Sequence, residues 1–144
     1  MTEIDFVIRL CLSFVAGGII GIERSSRHQV AGLRTHILIA IGSCSLMMLS
    51  IWLPQQLSVG DPGRIAAQVV SGMGFLGAGA IIRLGNNIRG LTTAASLWLT
   101  AAVGLTIGAG MFIAALTTVV LAIITLILLN RLERKLFPED NWKQ

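Results

Sequence analysis

LTTAASLWLTAAVGLTIGAGMFIAALTTVVLAIITLILL, residues 91–129, runs for nearly forty positions without one charged side chain. A helix needs about 20 such residues to cross the hydrocarbon of a bilayer. The stretch is therefore twice too long for one crossing, and it predicts two helices, Leu91–Ile107 and Met111–Leu129, joined by a tight turn at Gly108-Ala-Gly110. Lipid offers no partner to an exposed N–H or C=O, so the helix is the form open to each run. Outward from this stretch, three more apolar runs follow the same logic: Ile4–Ile22, Thr35–Leu53 and Ile65–Ile82. The fold class expected is all-α: a compact bundle of five transmembrane helices over residues 1–130, with a short basic and polar tail, 131–144. At ~1.5 Å rise per residue the runs are roughly 25–29 Å long, the short end of what a bilayer core requires.

Composition agrees. Apolar residues make up 54% and charged residues 12%, too few charges to cover a water-soluble globule. The net charge of +4 does not mark a nucleic-acid binder, because the basic residues sit between apolar runs and not on one stripe. They do set an orientation. Arg24, Arg27, Arg34, Arg83, Arg89, Arg131, Arg134, Lys135 and Lys143 fall on one side of the predicted bundle, and Arg64 alone on the other. By the positive-inside rule the N-terminus is outside and the C-terminus cytoplasmic. Cys11 and Cys44 lie inside apolar runs and read as buried free thiols, not a disulfide or a metal site. The acidic start, Met1-Thr-Glu-Ile-Asp5, argues against a cleaved signal peptide.

The breaks between helices carry their own signals. Glu23-Arg24 closes the first run, Gly32 precedes Thr35, Pro54 is expected to end the second helix, and Asp61-Pro-Gly63 is a turn. A weak parallel repeat is visible, in which Gly-Leu-Arg-Thr35 and Gly-Leu-Thr-Thr93 stand at matching places after a first helix of each pair.

Two groups of residues stand out as functional candidates. Gly17-xxx-Gly21 and Gly104-xxx-Gly108 have the spacing that lets helix backbones approach closely. Gly72, Gly74, Gly77 and Gly79 make the third helix richer still in small residues. Close packing, with surface left for a homo-oligomer, is the leading reading; the alternative is a polar pathway along helix three. Polar groups at membrane depth are the second group. Arg9 either snorkels to the interface or pairs with an acid such as Asp61. Asp61, Arg64 and Gln68 are expected to form a polar mouth on one side, and Glu23, Arg24, Arg34, His36, Asn86, Asn87 and Arg89 to gather on the other, above Thr92, Thr93 and Ser96. Structural ion pairs are expected, of Glu23 with Arg24, Arg34 or Arg89 and of Asp61 with Arg64, ahead of a Mg²⁺ site, although one or two carboxylates plus water suffice for that ion. No catalytic motif is present, and an enzyme is not expected.

Ile22-Glu-Arg24, Ala31-Gly-Leu-Arg-Thr-His36, Asp61 followed by Arg64-Ile-Ala-Ala-Gln-Val-Val-Ser-Gly-Met-Gly-Phe-Leu-Gly-Ala-Gly79, and Asn87-Ile-Arg-Gly-Leu-Thr-Thr-Ala-Ala-Ser-Leu-Trp98 together resemble the MgtC/SapB family over roughly residues 5 to 125. The resemblance implies a five-helix domain of the bacterial inner membrane. It implies a role tied to low magnesium and to survival inside macrophages, exerted on other membrane proteins such as the proton-translocating ATP synthase or transporters. By the same resemblance Asn87 falls on an asparagine that matters in the family. Glu23, Arg24, Arg34, Thr35, Asp61, Gln68, Arg89, Thr92 and Thr93 fall on its signature polar positions. Many members carry a soluble domain after the fifth helix, for which residues 131–144 are too short.

Overall fold

Each of the five apolar runs becomes a helix in the computed structural model, which describes residues 2–58, 60–85 and 87–136. The order is α1 (Glu3–Ser26), α2 (Leu33–Leu57), α3 (Arg64–Ala80), the strands β1 (Ile82–Leu84) and β2 (Asn87–Arg89), then α4 (Leu91–Gly108) and α5 (Phe112–Ile124). A π-helical turn, Thr125–Leu129, follows α5 without a break and leads into α6 (Asn130–Leu136). Four helical stretches are long and apolar enough to cross a membrane: α1, α2, α4 and Phe112–Leu132. With 17 residues, α3 is not among them.

The helix ends follow from local chemistry. At the start of α1, Asp5 N–H donates to Thr2 Oγ1 at 3.3 Å and Thr2 N–H donates to Asp5 Oδ2 at 2.9 Å, a capping box that satisfies two otherwise orphaned donors. The first helix reaches further than its apolar run, to Ser26, and Ser25 then caps its neighbour: Leu33 N–H donates to Ser25 Oγ at 2.8 Å. Pro54 does not end α2 as expected; the helix continues to Leu57 and stops at Ser58, with φ +52°. A proline removes one N–H and crowds the carbonyl four residues back, a local cost that a helix absorbs in its last turn. The connection between α3 and α4 is an antiparallel hairpin pairing Ile82 with Arg89 and Leu84 with Asn87. It delivers the chain to Gly90, at φ +91°, where a Cβ would stand 2.0 Å from the Ala80 carbonyl oxygen. Only glycine fits there. The predicted turn at Gly108-Ala-Gly110 is present, with Gly110 at φ +82°. Asn86 and residues 137–144, which include Lys143, lie outside the described residues, and the first part of the expected tail is helical, in α6.

The centre of the bundle is α4, which packs against α1, α2, α3 and α5. It is the most enclosed of the four spanning stretches and also the least hydropathic, while Phe112–Leu132, the most hydropathic, is the least enclosed. Such an arrangement suits a lipid solvent, in which interhelical packing and hydrogen bonds, not the hydrophobic effect, hold helices together. Small residues let α4 and α1 approach α2. A Cβ on Gly104 would meet the Ala40 carbonyl oxygen at 2.4 Å, and one on Gly108 that of Cys44 at 2.6 Å. Gly17 and Gly21 of α1 are similarly close, to His36 O at 2.7 Å and Leu33 Cα at 2.7 Å. Around these contacts lie Ile20, Cys44, Met48, Val103 and Ile107, all buried, with a second cluster of Met73, Ala80, Leu97 and Ala101 joining α3 to α4. The rim is apolar and uncovered, with Phe75 83% and Ile113 84% exposed, as a lipid-facing surface requires.

The glycines of α3 behave differently from those of α1 and α4. A Cβ on Gly72, Gly74 or Gly79 would meet nothing within 4 Å, and one on Gly77 only Ala94 at 3.7 Å. The small-residue packing expected of this helix is therefore not made among the described residues. Instead α2 and α3 flank an open apolar groove of about 560 Å³, whose walls include Gly42, Leu46, Val69, Gly72 and Met73.

Candidate polar site at the Glu23 end

The carboxylate of Glu23 is the focus of the end where α1, α2, α4 and the π turn meet. It is 7% exposed and lies between two guanidinium groups. Arg24 Nε donates to Oε2 at 2.5 Å, and Arg27 Nε donates to Oε1. Arg27 in turn donates from Nη1 to Asn130 Oδ1 at 3.1 Å, tying the end of α1 to the start of α6. Arg24 is itself only 3% exposed. A buried charge is tolerated where it is paired and hydrogen-bonded, and here one carboxylate satisfies two cations, leaving the cluster at net +1.

Beside it runs a chain of neutral groups. The buried ring of His36 contacts Gly32 O through Nδ1 at 2.9 Å and Ser96 Oγ through Nε2 at 3.2 Å. Gly32 O only accepts, so Nδ1 carries a proton. Ser96 Oγ lies 2.8 Å from Thr93 O, and the buried Thr93 hydroxyl donates to Gln29 Oε1 at 3.3 Å. Two cavities open next to these residues. The first, about 440 Å³, is walled by Arg24, Thr92, Thr125 and Asn130 together with leucines of the π turn and α6. The second, about 370 Å³, lies between α4 and α5 and shares Thr92, Thr125 and Leu126 with the first.

The structure brings together some of the residues singled out in the sequence and separates others. Glu23, Arg24, His36, Thr92, Thr93 and Ser96 converge as expected. Arg34 and Thr35 do not join them: both are exposed, and Glu23 pairs with Arg24 and Arg27 in place of Arg34 or Arg89. Position explains the choice, because Arg27 stands one helical turn beyond Glu23 on the same face of α1. Arg89 is exposed on β2, and the side chain of Asn87, on the same strand, lies outside the described residues.

At the opposite end Asp61, Arg64 and Gln68 are all exposed. The expected Asp61–Arg64 ion pair is absent among the described residues; Asp61 Oδ1 instead accepts from Gly63 N–H at 2.8 Å, closing its own turn. Arg9 pairs with no acid among the described residues and donates from Nη1 to Gly108 O at 2.6 Å, its guanidinium 5.8 Å over the Phe112 ring. Cys44 is buried as expected, whereas Cys11 is exposed on the rim. Arg27, Gln29 and Asn130 were not among the expected site residues, yet an i,i+4 acid–base spacing and a lone asparagine at the end of an apolar run both stand in the sequence. No three His, Cys, Asp or Glu side chains gather as a metal site among the described residues.

Comparison with known proteins places this chain in a family. The family model described as MgtC family matches residues 10–135. "Putative magnesium transporter YhiD" of Escherichia coli K12 is 46% identical over 141 residues, which cover 94% of this chain and 66% of that protein. "Protein MgtC" of Salmonella typhimurium LT2 is 41% identical over 136 residues, 94% of this chain and 57% of that protein. "Protein MgtC" of Brucella abortus is 52% identical over 105 residues, 70% of this chain and 42% of that protein. The chain thus spans less than two thirds of the length of these relatives. No solved structure matches it. The chain belongs to the MgtC family.

Proposed function

We propose that this multi-pass membrane protein regulates Mg²⁺ or membrane-potential homeostasis in the bacterial inner membrane by docking helices of other membrane proteins, without catalysing a reaction of its own. The observation that carries this reading is the open groove between α2 and α3. Gly42 and Gly72 stand on its walls with nothing within 4 Å of a Cβ, and the neighbouring face of α3 is uncovered. Small residues on an uncovered helix face permit a second helix to approach within van der Waals contact. The magnesium link is supported by the relatives, one of which is named a putative magnesium transporter. In this reading α3 is the fifth crossing, the Glu23 end is cytoplasmic and the Asp61 end outside, in keeping with the nine-to-one bias of lysine and arginine.

A photo-crosslinking residue at Gly42 in native membranes tests the docking. Products whose mass is not a multiple of the 15.3 kDa chain are expected, lost on Gly72→Leu. Products only at multiples of that mass would assign the groove to a second copy and a homo-oligomer. The rival function is a transporter or channel with its path along α3, a helix that carries Arg64, Gln68 and the glycines. Flux of Mg²⁺, Na⁺, K⁺ and H⁺ into sealed liposomes holding the purified protein decides between them. No flux above empty liposomes is expected; flux that Asp61→Asn and Asn87→Ala both abolish would replace regulation by transport.

A further inference from the structure

Arg24 has more donors than the structure uses. Its Nε is bonded to Glu23, but among the described residues no acceptor faces Nη1 or Nη2. Among the described residues no buried side-chain nitrogen is left without a partner, so these two are not sealed in the protein, and Arg24 lines the 440 Å³ cavity. A guanidinium 3% exposed, held in place by its Nε and lining a cavity, is the fork that binds a phosphate or carboxylate. The surrounding charge agrees: Arg24 and Arg27 outweigh Glu23 by one, and the polar residues Thr92 and Asn130 line the same cavity.

The rest of the cavity is apolar. Leu126, Leu129, Leu132 and Leu136 form its other wall, and through Thr92, Thr125 and Leu126 it meets the 370 Å³ groove between α4 and α5. The π turn builds this junction: Thr125, Leu126 and Leu129 all belong to it, and Asn130 follows directly. Wide helical turns of this kind are frequent at functional sites. A polar, net positive end joined to an apolar slot fits a headgroup and its acyl chain better than a free ion.

We propose that this junction binds the phosphate group of an anionic phospholipid, with the headgroup on Arg24 and an acyl chain in the α4–α5 groove. Native mass spectrometry of the purified full chain in detergent tests it, with phosphatidylglycerol, phosphatidylcholine and inorganic phosphate added in turn. One phosphatidylglycerol per chain is expected, preferred over phosphatidylcholine by about tenfold and weakened by salt, as basic pockets facing the cytoplasmic leaflet behave. Two variants guard against misfolding, each checked for an unchanged elution volume and helical circular dichroism. Arg24→Lys keeps the charge beside Glu23 but removes the fork, and a drop of about tenfold in phosphatidylglycerol binding is expected. Leu129→Trp, at a half-exposed position clear of the ion pairs, fills the cavity and is expected to abolish binding. Equal binding of the two lipids, or phosphatidylglycerol binding unchanged in both folded variants, would overturn the site. Phosphate that binds alone and displaces the lipid would overturn the lipid as its ligand.

Discussion

A single carboxylate balances two arginines at the Glu23 end, and removing it leaves the buried Arg24 guanidinium without its paired charge, beside a second cation. Glu23→Ala is expected to destabilise the fold by about 3 kcal/mol, read from thermal unfolding in detergent. The double variant Glu23→Ala, Arg24→Ala should cost less than the sum of the two single changes, because their interaction is lost once and not twice. Asp61→Asn offers the contrast: its carboxamide oxygen still accepts from Gly63 N–H, and a change within about 0.5 kcal/mol is expected by the same measurement. The pairing of Glu23 with Arg24 was legible from adjacency at a helix end. The Asp61–Arg64 pair was not, since a short acidic side chain bonds its own turn before it reaches a distant cation. His36 joins this end through both ring nitrogens, with Nδ1–H on Gly32 O and Nε2 3.2 Å from Ser96 Oγ, whose hydroxyl donates to Thr93 O.

Between helices, glycine spacing separates contacts that are made from contacts that are not. Gly104→Ala puts a methyl group 2.4 Å from Ala40 O, so α2 or α4 must shift; a loss of about 1–3 kcal/mol is expected in the same unfolding assay. Gly72→Ala meets nothing, and a gain within about 1 kcal/mol is expected from helix propensity alone. The Gly-xxx-Gly pairs were readable because a spacing of four puts both residues on one face, and those faces are the ones that dock on α2. On α3 the spacings of two and three scatter the glycines around the axis, which explains why four of them secure no close contact. Pro54 misled for a different reason: a proline reads as a stop in sequence, but near a helix end it sacrifices one hydrogen bond and the helix runs on to Leu57.

For the whole molecule, the number of apolar runs and their connections were legible, because length and charge alone mark a stretch that suits lipid. The central place of α4 was not, since apolar runs look alike until their polar minorities are known to face inward. Sidedness is open to direct test. With Cys11 and Cys44 changed to serine, Ser58→Cys should react with a membrane-impermeant maleimide from outside intact spheroplasts, and Gly85→Cys only after the membrane is opened. The reverse pattern would invert the topology. The π turn at Thr125–Leu129 has a consequence for the chain beyond it. Such a turn accommodates one residue more than an α-helix, so everything after it is rotated by about 100° from the azimuth a plain helix would give. Deleting one residue of this turn would restore a plain helix and keep Asn130 toward Arg27, whereas closing the turn to α geometry at full length would swing Asn130 about 100° away. The heading on which the polypeptide leaves the bundle is thus fixed by a single extra position in the backbone, not by the identity of any side chain.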